Sequence, residues 1–131
     1  MNPLTGRRCL VVDDDPNIRE VVFYNLAAEG MDVRTVDNGS EAEREAFADP
    51  PDVIVLDVMM PGRDGYDVLE TLKNDARTRD IPVVLLTAKA TDEEIWRGWR
   101  SGADYYITKP FSLDELVYFM RLMFAEVDER V

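Results

Sequence analysis

The sequence predicts an α/β fold in which one parallel sheet is covered by helices on both faces. Short apolar runs rich in β-branched residues (CLVVD, VIVLD, PVVLL) alternate with longer amphipathic stretches along the whole chain. The central runs are continuously apolar, as in strands buried on both faces. No linker, internal repeat or low-complexity segment interrupts the alternation, so a single domain is expected over residues 1–131, with its core at about 8–128.

Cys9–Asp13 reads as a buried strand. Asp15 is placed to cap a helix that Pro16 opens at its first position and that runs to about Glu29, where Gly30 ends it. Asp32–Val36 is a second strand. Ser40 is expected to cap the next helix, which reaches about Ala48 before Pro50-Pro51 stops it. Val53–Asp57 is a third strand, followed by a Pro61-Gly62 turn, Gly65 and a helix from about Tyr66 to Asn74. Pro82–Leu86 is a fourth strand, Asp92–Ser101 a helix of mixed character, and Tyr105–Thr108 a short fifth strand. Ser112 caps a last helix reaching about Asp128. Five strands alternating with five helices, joined by right-handed crossovers, predict a flavodoxin-like doubly wound (βα)5 three-layer sandwich with sheet order 2-1-3-4-5.

Bulk composition prunes the possible functions. The 131 residues suffice to bury a core, and 46% hydrophobic with 32% charged residues is a globular rather than a disordered profile. No apolar run is long enough to span a membrane, and Met1–Arg8 lacks the apolar stretch of a signal peptide. Cys9 is the one cysteine; it has no partner for an internal disulfide and reads as a small core residue. A cytoplasmic protein is expected. The net charge of −12, from 27 acidic and 15 basic residues, argues against direct nucleic-acid binding by this domain. The chain contains no histidine, which excludes His-based triads, His-ligated zinc and a phosphohistidine carried by this chain.

In doubly wound sheets the site lies at the carboxyl ends of the strands. Asp13 and Asp14 follow strand one, Asp57 strand three, Thr87 strand four and Lys109 strand five. Three carboxylates brought together repel one another, and a hard divalent cation such as Mg²⁺ resolves that conflict with oxygen ligands. A metal, a lysine and a hydroxyl donor at one rim suit a phosphoryl group in transfer, with Asp57 as the nucleophile. Such a modification adds roughly one to two negative charges and strong acceptors, enough to move a nearby hydroxyl.

The segments VVDDDP (Val11–Pro16), VLDVMMPGRDG (Val55–Gly65), LLTAK (Leu85–Lys89) and GADYYITKPF (Gly102–Phe111) closely resemble the receiver domains of response regulators in bacterial two-component systems. Both chemotaxis-type single-domain and transcription-factor receivers are similar. All four motifs occur in order and at compatible spacings, and the resemblance runs from about Arg8 to Asp128. It implies that Asp57 is the phosphoacceptor and that Asp13, Asp14, Asp57 and the backbone carbonyl of Met59 hold Mg²⁺ (Mn²⁺ as a substitute), Asp13 mainly through water. It implies that Lys109 pairs with the phosphoryl group, that Thr87 is the switch hydroxyl and Tyr106 its aromatic partner, and that the Lys109-Pro110 bond is cis. The implied partners are a sensor histidine kinase or phosphotransfer protein, and an output partner, an effector domain or a second copy in a homodimer. The domain would catalyse only its own phosphotransfer and dephosphorylation.

Other residues read more simply. Asp15 and Asp64 are expected to be caps or loop residues, Gly62 and Gly65 to serve backbone geometry, and Tyr105 to be a surface or edge aromatic. Met59 and Lys89, each two residues beyond a site residue, are expected to shield the acyl phosphate and slow its hydrolysis. The last helix carries more apolar residues than the stripe of roughly 100° that one buried face needs. Some of Tyr118, Phe119, Leu122 and Met123 are therefore expected to stay exposed, with Trp96 and Trp99 of the fourth helix extending the patch. In receivers the face made by the fourth helix, fifth strand and fifth helix is the output surface. Arg121 is the only basic residue on the last helix before Arg130, which argues against a charge-paired homodimer. Two alternatives belong to other classes: a Mg²⁺-dependent aspartyl phosphohydrolase and a constitutive protein-binding module.

Overall fold

A computed structural model of the protein describes residues 2–88, 93, 96, 97 and 100–129. Five strands form one sheet in the order β2-β1-β3-β4-β5: β1 (Arg8–Val12), β2 (Asp32–Val36), β3 (Val53–Asp57), β4 (Val83–Thr87) and β5 (Tyr105–Thr108). All four neighbouring pairs are parallel. The predicted topology is therefore the observed one. β3 and β4 are buried along their whole length, which is why their sequences lack a polar alternation.

Helix α1 (Pro16–Ala28) begins as expected, with the Asp15 side chain accepting a hydrogen bond from Asn17 N at 2.9 Å. Helix α2 (Gly39–Ala48) differs from expectation at its start. Asn38, not Ser40, is the cap; its Oδ1 accepts from Glu41 N at 2.9 Å. Asn and Ser cap equally well, and a tertiary contact decides between them. A Cβ at Gly39 would lie 2.7 Å from both Arg63 O and Val68 Cγ2, so the close approach of the loop before α3 fixes where α2 begins. Helix α3 (Gly65–Lys73) starts with a capping box between Asp64 and Asp67. The C-terminal helix (Leu113–Glu129) starts after Ser112, whose Oγ accepts from Glu115 N at 3.4 Å.

Two apolar layers sandwich the sheet. On one face Leu10, Ile54, Leu56 and Leu85 pack against Ala42 and Ala46 of α2 and Val68, Leu69 and Leu72 of α3. On the other, Cys9, Val11, Val55 and Leu86 pack against Val22 and Leu26 of α1 and Leu116, Met120 and Phe124 of the C-terminal helix. Met123 belongs to this second layer at 7% exposure, which corrects its expected place on the exposed patch. Its spacing from Leu116 and Met120 puts it on their face of a 3.6-residue helix. Tyr118 at 59% and Leu122 at 42% do remain exposed, while Phe119 is half-buried with its ring 5.3 Å from that of Tyr105.

Glu93, Trp96, Arg97 and Arg100 are helical, and Trp96 is 64% exposed. The rest of the expected Asp92–Ser101 helix, apart from Ser101 itself, and the positions of Trp99 and Lys89 lie outside the described residues. Among the described residues no helix is long and apolar enough to cross a membrane.

Candidate functional site

The carboxyl edge of the sheet brings together side chains that are far apart in sequence. Asp13 directly follows β1, Asp57 and Thr87 are the last residues of β3 and β4, and Lys109 directly follows β5. Asp13, Asp57 and Thr87 are buried, and Asp14 is exposed beside them. One carboxylate oxygen from each of Asp13, Asp14 and Asp57 lies within 4.8 Å of the other two.

Lys109 organises this cluster. Its Nζ lies 3.1 Å from Asp13 Oδ2 and 3.1 Å from Asp57 Oδ1. Asp13 is held from a second side: its Oδ1 accepts from Asp15 N at 2.9 Å, and its carbonyl oxygen accepts from Arg19 Nη1 at 2.9 Å. Asp57 Oδ1 also accepts from Met59 N at 3.3 Å. The side chains are thus oriented before any ligand arrives.

The electrostatics remain unbalanced all the same. Burial and then the charge of Asp13 push the Asp57 carboxyl up to about 6, against the opposing effect of Lys109. Burial disfavours the Lys109 ammonium, but Asp13 and Asp57 outweigh it and hold the amine above its ordinary value. Three carboxylates and one ammonium leave a net deficit of positive charge. The donor set, all carboxylate oxygen with no imidazole in the chain, fits a hard divalent cation such as Mg²⁺.

Two close contacts lock the loop after Asp57. Gly65 N donates to Val58 O at 3.0 Å, and a Cβ at Gly65 would lie 2.5 Å from Asp57 O and 2.7 Å from Val58 Cα. Only glycine permits α3 to start this close to the end of β3. The Lys109-Pro110 peptide bond is cis. Tyr106 pairs in register with Leu85 and is half-buried against the α2–α3 layer, with its hydroxyl 3.1 Å from that of Tyr66.

Sequence reading missed Arg19, Tyr66 and Arg97. Arg19 lies on the second turn of α1, where an exposed arginine is unremarkable. Tyr66 reads only as the start of a helix, and the Arg97 guanidinium lies over its ring, 4.2 Å from the centroid. No local signal in the sequence marks these contacts.

The sheet order and the acidic rim at its carboxyl edge are those of receiver domains. The chain belongs to the response regulator receiver domain family, which matches residues 9–121. Over 121 residues it is 40% identical to the DNA-binding dual master transcriptional regulator RpaA of Synechocystis sp., covering 92% of this chain and 50% of that protein. Over 112 residues it is 45% identical to the phosphate regulon transcriptional regulatory protein PhoB of Escherichia coli K12, covering 86% of this chain and 49% of PhoB. The chain therefore spans about half the length of these curated relatives. The receiver domain of Francisella response regulator 1452 superposes with a TM-score of 0.86 at 34% identity, covering 93% of this chain and 99% of that one. Vibrio cholerae chemotaxis protein CheY4 gives 0.84 at 29%, covering 89% and 98%. This is a domain of two-component signalling proteins, a family that binds Mg²⁺ at an acidic pocket and works between histidine kinases and output effectors.

Proposed function

We propose that this chain is a phosphorylation-activated switch in which Asp57 accepts a phosphoryl group from a sensor histidine kinase or phosphotransfer protein. The observation that carries the proposal is the Lys109 amine, 3.1 Å from both Asp13 Oδ2 and Asp57 Oδ1, beside a third carboxylate on Asp14. The donor histidine lies outside these 131 residues, which contain none. An Asp57 oxygen forms the new O–P bond as the donor's P–N bond breaks, and the leaving imidazole nitrogen keeps the electron pair. Asp13, Asp14, Asp57 and the Met59 carbonyl would hold Mg²⁺ or Mn²⁺, which supplies positive charge to the phosphoryl oxygens. Lys109 turns from Asp57 to the transferred group, and Thr87 donates its hydroxyl to another phosphoryl oxygen. Withdrawal of Thr87 toward the site alters the space available to Tyr106, which carries the change to the outer face.

Output then runs through the face formed by the segment around Trp96, by β5 and by the C-terminal helix. Trp96, Tyr118 and Leu122 are each exposed, and the Phe119 ring lies 5.9 Å from that of Tyr118, apolar surface suited to an effector or a second copy. Arg121 is engaged by Glu29 of its own chain, so apolar contacts rather than charge pairs would hold that partner. Both curated relatives are named transcriptional regulators, which supports a transcriptional effector as the output. The domain itself, residues 1–131 at −12 net charge, would act in the cytoplasm without touching DNA.

Intact mass after incubation with Mg²⁺ and a small acyl phosphate tests the proposal. The expected adduct is one phosphoryl group, ~80 Da, present in wild type and absent in Asp57→Asn. No adduct with any donor, or an unchanged adduct in the variant, would refute it.

A further inference from the structure

The Tyr66 hydroxyl has no part in the chemistry above, yet the residue is buried to 3% exposure. Buried tyrosines place their hydroxyl on a partner, and here Tyr106 provides one: the two oxygens lie 3.1 Å apart. The Arg97 guanidinium covers the Tyr66 ring at 4.2 Å, so the ring is held from the outside as well. At its backbone end Tyr66 directly follows Gly65, which hydrogen-bonds Val58 O and sits against Asp57 O closely enough to exclude a Cβ. One residue therefore joins the Asp57 end of β3 to the ring of Tyr106 on β5.

We propose that Tyr66 is a positioning residue for Tyr106. Its hydroxyl holds the Tyr106 ring inward against the α2–α3 layer and ties it to the Asp57 loop, a second connection beside Thr87. This rests on the proposed roles of Asp57 and Tyr106. Phenylalanine at position 66 would keep the buried ring and its cation cover but could neither donate to nor accept from Tyr106. If the modified state also favours the inward ring, whatever favours that ring beforehand strengthens binding of a phosphoryl mimic, by linkage. One neutral hydrogen bond gives a change of about five-fold.

Two measurements on wild type, Tyr66→Phe, Tyr106→Phe and the double variant decide it. The first is the side-chain rotamer of Tyr106, read by NMR couplings and ring contacts in the unmodified, metal-free protein with Tyr or Phe at position 66. The second is beryllofluoride affinity in Mg²⁺ for all four proteins, with Mg²⁺ affinity measured separately. The expected result is a mainly inward Tyr106 in wild type, a smaller inward share in Tyr66→Phe, and beryllofluoride binding about five-fold weaker in each single variant. The double variant should be no weaker than either single one, and Mg²⁺ binding alone should be unchanged. A purely structural Tyr66 would lower the melting temperature and leave rotamer and affinity alone, which would overturn the proposal, as would additive losses in the double variant. If wild type binds no beryllofluoride but the inward share of Tyr106 still falls in Tyr66→Phe, the phosphoacceptor role of Asp57 fails and the anchoring role of Tyr66 stands.

Discussion

The Lys109 ammonium lies 3.1 Å from Asp57 Oδ1, and still the Asp57 carboxyl is held up near 6. One lysine shared between two buried carboxylates does not offset the burial of Asp57 and its repulsion by Asp13.

This imbalance makes stability depend on pH. The folded protein binds the Asp57 proton more tightly than the unfolded chain, where the ordinary value is 3.8. The stabilising contribution is complete below about 4 and is lost as pH rises through about 6. Asp57→Asn is expected to raise metal-free stability at pH 7.5 by roughly 1–3 kcal/mol, with the gain shrinking towards pH 4. Urea unfolding at the two pH values checks this, and a gain that does not vary with pH would contradict it.

Removing the lysine should act the other way. Lys109→Met leaves Asp13 and Asp57 facing each other without the intervening ammonium. Stability at pH 7.5 is expected to fall by roughly 1–3 kcal/mol, less than for a fully buried pair because the Lys109 side chain is 18% exposed. The Asp57 carboxyl should titrate higher still, which NMR of its side-chain carbon would follow. Phosphorylation by a small acyl phosphate should slow by at least about ten-fold.

A divalent cation should supply the missing charge. Mg²⁺ at about 100 times its dissociation constant is expected to stabilise wild type by about 2.7 kcal/mol. Most of that gain should disappear in Asp14→Ala, whose exposed side chain makes little contribution to the fold itself. Thermal melts with Mg²⁺ and with a chelator provide the comparison, and equal Mg²⁺ shifts in both proteins would count against Asp14 as a ligand.

Gly65 tests how closely the loop after Asp57 is tied to the site. A Cβ 2.5 Å from Asp57 O meets backbone, which cannot yield as a flexible side chain would. Gly65→Ala is expected to cost about 1–3 kcal/mol and to weaken Mg²⁺ binding together with stability. Gly62→Ala, where nothing lies within 4 Å, pays only for its φ of +76° and should leave Mg²⁺ affinity unchanged.

Cys9 should be chemically silent. It is fully buried, and burial pushes its thiol far above the ordinary range. An aromatic disulfide reagent at pH 8 is expected to leave the native protein unlabelled and to react once urea unfolds it. Labelling at the rate of a free thiol under native conditions would refute the burial.

The sequence by itself determined the order of elements and the chemistry at their ends. Apolar runs such as Val53–Asp57 and a polar residue where each run stops are local properties, as are the Asp15–Pro16 and Ser112 helix starts. Only the tertiary structure decided which polar residues meet. Lys109 reaches Asp13 across 96 positions and Asp57 across 52, and Tyr66 reaches Tyr106 across 40. The same holds for the start of α2, set at Asn38 by the packing of Gly39 on Arg63, and for Met123, drawn inward with Leu116 and Met120. Periodicity and capping act over a turn or two of chain, whereas close packing and burial of charge depend on neighbours that the sheet order alone brings together.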